Sequence, residues 1–116
     1  MKRYTAVSDS GERVGLFHIL NLLEEQDMTP SDAGDLEYAE RILNLNLPVP
    51  PYPDGIRTEA WFTEYGAEHF KEAVGIIGRL VNCLLDGYGY VFHEEVRNRD
   101  GREIMYRDRY QVIFVL

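Results

Sequence analysis

The sequence predicts an α+β domain in which three helices pack on one face of a mainly antiparallel sheet of about four to five strands. Three observations carry this. Apolar side chains recur at helical spacing from Ala67 to Leu84, the period changes to two from Tyr88 onward, and clusters of turn formers cut the remainder into short segments. With 116 residues, 45% of them hydrophobic and 12% aromatic, the chain is long enough for one shared core and too short for two, so residues 1–116 are read as a single domain.

Arg3 to Val7 reads as a short strand ended by the turn formers Ser8-Asp9-Ser10-Gly11. Val14, Leu16, Phe17, Ile19, Leu20, Leu22 and Leu23 follow so densely that they predict a helix buried on most sides, with His18 as a hydrogen-bonded core residue and Glu24-Glu25-Gln26-Asp27 facing water. Thr29-Pro30-Ser31-Asp32 starts a second helix. The Thr hydroxyl accepts an orphan N–H, proline is tolerated in the first turn, and Asp32 complements the positive helix end. Its buried stripe is Leu36, Ala39, Leu43 and Leu47.

Four prolines between Pro48 and Pro53 stop that helix and make residues 47–55 a stiff connector, with a polyproline ligand as the competing reading. Ile56 to Phe62 alternates as a strand with Ala60 and Phe62 on one face and Trp61 on the other. The third helix opens at Thr63 and closes at Gly87. Ala67, Phe70, Val74, Ile77, Val81 and Leu84 form its stripe, widened by Ala73, Ile76 and Leu80. Gly75 and Gly78 each cost about 1 kcal/mol against alanine in a helix, which predicts close approach of a neighbouring element there.

Tyr90 to Arg97 alternates up to Asp100-Gly101, a turn signal that predicts a hairpin, and Tyr88 and Tyr90 are assigned to packing. The return strand begins near Glu103, a bulge or turn falls at Tyr106 to Arg109, and Tyr110 to Val115 is apolar enough for a central strand. An uncapped strand edge at Tyr110 to Leu116 would offer a route to a homo-oligomer or a partner complex.

Asn46-Leu47-Pro48-Val49-Pro50, then Ala60-Trp61-Phe62, then His69, and finally Tyr106-Arg107-Asp108-Arg109-Tyr110-Gln111-Val112 resemble a pattern in small bacterial proteins of unassigned function. The likeness covers about the last two thirds of the chain. The chain departs from that pattern with Asp100-Gly101 where Pro-Gly is common and with Arg107 where an acidic residue is common. The resemblance implies a compact fold and a bacterial or phage cytoplasmic origin, and no activity or cofactor.

Charge is the strongest pointer to function. Residues 1–72 hold 14 acidic and 6 basic side chains and residues 73–116 hold 6 of each, so the whole net charge of −8 lies in the first part. Glu24, Glu25, Asp27, Asp32, Asp35, Glu37 and Glu40 follow one another without an intervening Lys or Arg. One concentrated anionic face on a helical hairpin is expected, suited to a protein partner with a basic surface. Carboxylates three or four residues apart on a helix lie roughly 6 Å from each other, near the spacing of phosphates. The leading expectation is therefore a non-enzymatic protein-binding module. An inhibitor of nucleic-acid machinery, like anti-restriction and anti-CRISPR proteins in composition only, is the specific form considered. Ordinary solubility is the plain alternative.

Other chemistry is weaker. Glu64, Glu68 and Glu72 share a helix face beside His69, but zinc helices present His at i and i+4, and this one does not. His93 and Glu95 share a strand face as a possible acid–base pair without a nucleophile. A small enzyme or ligand binder using His69 or His93 is thus the alternative. Arg97, Arg99, Arg102, Arg107 and Arg109, interleaved with Tyr106 and Tyr110, form a nucleic-acid-like patch that the neighbouring acids and the net charge oppose. No cofactor is implied. Cys83, in an apolar helical pattern, is expected to be a buried, inert thiol, and the absence of an apolar leader or a long apolar run leads to a cytoplasmic expectation with no membrane contact.

Overall fold

Helical and period-two segments condense into four helices and a six-stranded sheet in the computed structural model, which describes residues 1–98 and 101–116. In chain order these are β1 (Lys2–Val7), β2 (Arg13–Gly15), α1 (Leu16–Glu24), α2 (Pro30–Asn46), β3 (Thr58–Phe62), α3 (Glu64–His69), α4 (Lys71–Leu84), a 3₁₀ turn at Asp86–Tyr88, β4 (Val91–Val96), β5 (Ile104–Arg107) and β6 (Gln111–Val115). The α+β class is as the sequence predicts. None of these helices is long and apolar enough to cross a membrane.

Every pairing is antiparallel. β1 pairs along its whole length with β4, from Lys2↔Val96 to Val7↔Val91. Its other edge is shared, with β2 at Thr5 to Val7 and β3 at the single pair Lys2↔Phe62. β3 then pairs with β6, and β6 with β5. β4 and β5 are therefore opposite margins of a curled sheet and do not form the hairpin expected from Asp100-Gly101, of which Asp100 lies outside the described residues. Strand alternation reported two extended segments correctly but did not say with whom they pair. β1 offers β4 a six-residue ladder reinforced by Lys2–Glu94 at 2.8 Å. Arg97 and Arg102 lie against aromatic rings of the central strands, with Arg97 Cζ 5.3 Å from the Trp61 ring centroid and Arg102 Cζ 5.3 Å from that of Phe114.

The helices cover one sheet face. Leu16, Ile19, Leu20 and Leu23 of α1, Leu36, Ala39 and Leu43 of α2, and Phe70, Val74, Ile77 and Val81 meet Tyr4, Ala6, Val14 and Phe62 in the main core. On the opposite face Trp61, Val112 and Phe114 form a small second cluster. Ala60 and Trp61 thus turn to opposite faces as the alternation predicts, and both Trp61 and Phe62 are buried. Glu59 closes the small cluster. Its Oε1 accepts 2.7 Å hydrogen bonds from Trp61 Nε1 and Arg102 Nη2, and its Oε2 lies 3.5 Å from Arg3 Nη1. Burial pushes the Glu59 carboxyl up, but those hydrogen bonds and the arginine charges outweigh it and hold it below its ordinary range.

Several local expectations are corrected. Residues 13–15 are a strand, so the first helix begins at Leu16 and inserts only the face at 16, 19, 20 and 23; His18 is exposed, not buried. The third helix divides at Phe70 (φ −98°, ψ 10°), although Phe70 N–H still donates to Gly66 O and receives Val74 N–H at its own carbonyl. The bend aims α3 at the end of β3, where Thr63 caps it by accepting Gly66 N–H at 3.0 Å. Close approach is found at Gly78, where an added Cβ would lie 3.0 Å from the Phe92 ring, and not at Gly75. Cys83 is exposed because it falls between the buried positions Val81 and Leu85. Tyr88 is exposed on the 3₁₀ turn, while Tyr90 is half-buried and donates to Glu12. β6 is central as expected, paired on both sides, so Tyr110 to Leu116 is no free edge; β2, β4 and β5 hold edge positions.

Candidate functional site

The α1–α2 hairpin places the seven acidic residues in three different settings. α1 ends at Glu24, with Glu25 as its C-cap, and α2 starts after Thr29, whose hydroxyl accepts Asp32 N–H at 3.2 Å. Burial of Leu36, Ala39 and Leu43 fixes how α2 is rolled. At 100° per residue, Asp32 continues that stripe into the first turn, Asp35 falls on one flank of it, Glu40 on the other, and Glu37 outward.

On the first flank α4 supplies a cation. Arg79 Nη1 donates to Asp32 Oδ1 at 3.1 Å and its Nη2 to Asp35 Oδ2 at 2.7 Å. On the outer side Arg41 Nη2 donates to Glu37 Oε1 at 2.9 Å, one helical turn away. On the flank toward α1 no cation is supplied among the described residues. The Glu40 carboxyl meets that of Glu24 within hydrogen-bonding reach, and its Oε1 is buried with no hydrogen-bond partner among the described residues. Burial first, then the hydrogen bond to Glu24 and the charges of Glu24 and Glu37, push the Glu40 carboxyl up to about 7.

Arg79 and Arg41 thus occupy Asp32, Asp35 and Glu37, while Glu24, Glu25, Asp27 and Glu40 have no ion pair among the described residues. The expected single anionic face is divided, and the part without an internal cation among the described residues is the junction between the end of α1 and the middle of α2. Glu37–Arg41 was legible as an i,i+4 pair. Arg79 was not, because nothing local links it to residues 44 and 47 positions earlier.

The other candidates find structural employment. His69 stacks within an aromatic group, 5.9 Å from Tyr65 and 5.2 Å from Tyr110 by ring centroids. His93 is exposed on β4, and Glu95 beside it is engaged by Arg13 Nη1 at 2.7 Å and, more distantly, Arg3 at 3.7 Å. Of the basic patch, Arg102 serves Glu59, Arg109 lies 4.3 Å over the Tyr65 ring, and Arg99 lies outside the described residues. Among the described residues, no group of three or more His, Cys, Asp or Glu side chains is placed to hold a metal ion.

These features define an acidic α+β domain with one unneutralised carboxyl junction. No protein-family model matches the chain, and no curated protein or solved structure matches it significantly.

Proposed function

We propose that the protein is a non-enzymatic protein-binding module whose α1–α2 junction takes basic side chains of a partner. The observation that carries this reading is the contact between Glu24 and Glu40: two carboxyls meet, one oxygen is buried without a hydrogen bond, and no cation is supplied from within the described residues. A like-charge contact of this kind opposes folding unless a proton or an external cation relieves it. Glu25 and Asp27, both exposed in the turn, extend the negative field toward solvent and would steer a basic surface to the junction. Proteins that handle nucleic acids present such surfaces, and an inhibitory role against one of them is the specific form of the proposal.

The test is capture of partners from host lysate at low and high salt, followed by mass spectrometry. The expected result is a basic protein retained at low salt, released at high salt, and lost when Glu24 and Asp27 are both changed to Lys. His69→Ala and His93→Ala should leave capture intact. Retention that survives the charge reversal, or that depends on either histidine, would remove the proposal.

A further inference from the structure

At the opposite end of α1 the sheet opens into a cleft. Met1 and Arg97 exchange both backbone hydrogen bonds, at 2.7 and 2.9 Å, so the odd residues of β1 face β4 and the even ones turn to the other edge. On that edge Lys2 pairs with Phe62 and Ala6 with Val14, but β2 gives way to α1 after Gly15 and β3 diverges after Phe62. In β3, Thr63 N–H bonds to Tyr110 O and Leu116 N–H to Arg57 O, which sets the odd residues toward β6. The backbone groups of Thr58 and Ala60 therefore turn to the opening, where among the described residues that edge of β3 pairs only at Phe62.

The cleft holds about 290 Å³, at the lower end of ligand-pocket sizes. A second cleft beneath the proline-rich connector shares Phe17, Leu47 and Gln111 with it. Two further features point to what it takes. Gly15 gives α1 no side-chain cap and the first turn has no acidic residue, so the Phe17 and His18 N–H groups stand at the mouth unmatched within the helix. Gln111 is only 4% exposed, and its Nε2 donates to Pro48 O at 2.7 Å and Asp108 Oδ2 at 3.1 Å. Gln111 lines the cleft, and that orientation leaves its Oε1 without a hydrogen bond among the described residues, open to accept one.

We propose that this opening binds the carboxy-terminal end of an extended peptide that finishes in an apolar side chain. The carboxylate meets the Phe17 and His18 N–H groups at the positive end of α1. The peptide backbone lies along the Thr58–Ala60 edge as an added strand, one of its amides donates to Gln111 Oε1, and its last side chain packs on half-exposed Phe17 and on Leu47. An apolar acid without amides would use the helix end alone and forgo the strand edge and Gln111.

The test titrates the full chain with acetyl-Ala-Val-Leu, the same peptide as its carboxamide, and 4-methylpentanoate, followed by backbone amide NMR and by the fluorescence of Trp61, the sole tryptophan, which borders the cleft. The free-acid peptide should shift Phe17, His18 and Ala60 saturably and bind about tenfold or more tighter than either control. Gly15→Asp supplies the missing cap, and an added Cβ there meets nothing within 4 Å. That variant should fold with an equal or higher melting temperature and bind the peptide about tenfold or more weakly. Equal binding of the carboxamide or of 4-methylpentanoate, undiminished binding by Gly15→Asp, or no saturable shift with the free acid would each overturn the proposal.

Discussion

Gly66 presses its backbone against the Tyr110 carbonyl group, so that a β-carbon built on it would overlap Tyr110 O and stand 2.8 Å from Tyr110 C. The same carbonyl accepts Thr63 N–H at 3.0 Å, which fixes both partners as backbone. Gly66→Ala should therefore destabilise the fold by about 3 kcal/mol, since no flexible side chain can yield. Gly75→Ala, with nothing within 4 Å of the new methyl group, should stabilise it by about 0.5–1 kcal/mol. Urea denaturation of the two variants measures the contrast.

The Glu24–Glu40 pair predicts stability that declines toward alkaline pH. Glu40 titrates at about 7 in the fold and at 4.5 ordinarily, so between these values the folded chain holds more protons than the unfolded one. Its contribution is fully present below 4.5 and lost as pH rises through 7. Glu40→Gln keeps a donor toward Glu24 without titrating. Denaturation midpoints for this variant should be flatter across that window and higher than those of the parent above it.

Glu59 and Asp108 act with the opposite sign at lower pH. In both, burial raises the carboxyl but hydrogen bonds dominate, from Arg102 and Trp61 at Glu59 and from Gln111 and the Tyr110 N–H at Asp108, and both carboxyls are held down. Their contributions are present above the ordinary carboxylate range and lost as pH falls through the depressed values. Glu59→Ala removes the acceptor of Trp61 Nε1 and a partner of Arg102 and Arg3. It should cost about 2 kcal/mol and shift the Trp61 emission to longer wavelength.

Cys83 should react with a maleimide in the folded state at a rate unaffected by mild denaturant, because its thiol is already exposed. Protection until unfolding would place the outward face of α4 incorrectly.

Periodicity made the helical stripes and the two-faced strand at Ala60–Phe62 legible, because each is a local pattern imposed by one buried side. Pairing partners were not local. The alternation in 91–96 is satisfied equally by β5 or by β1, and only the assembled sheet decides between them. Density of apolar residues at 14–23 concealed a strand-to-helix switch, since Val14 is buried from β2 and Leu16 from α1. At the acidic junction the sequence named the carboxylates and the Thr29 cap. It carried no sign that Arg79 would return from α4 to neutralise Asp32 and Asp35 while Glu24 and Glu40 were left to each other.

Pairing Lys2 with Val96 has a consequence for how the chain is made. During translation β1 must wait for two helices, β3 and the divided third helix to be made before its longest ladder, with β4, can close. Meanwhile the three-residue β2 and, later, the single pair with β3 shield only its other edge. The acidic stretch that emerges next repels copies of itself, which favours nascent chains staying apart until β4 arrives.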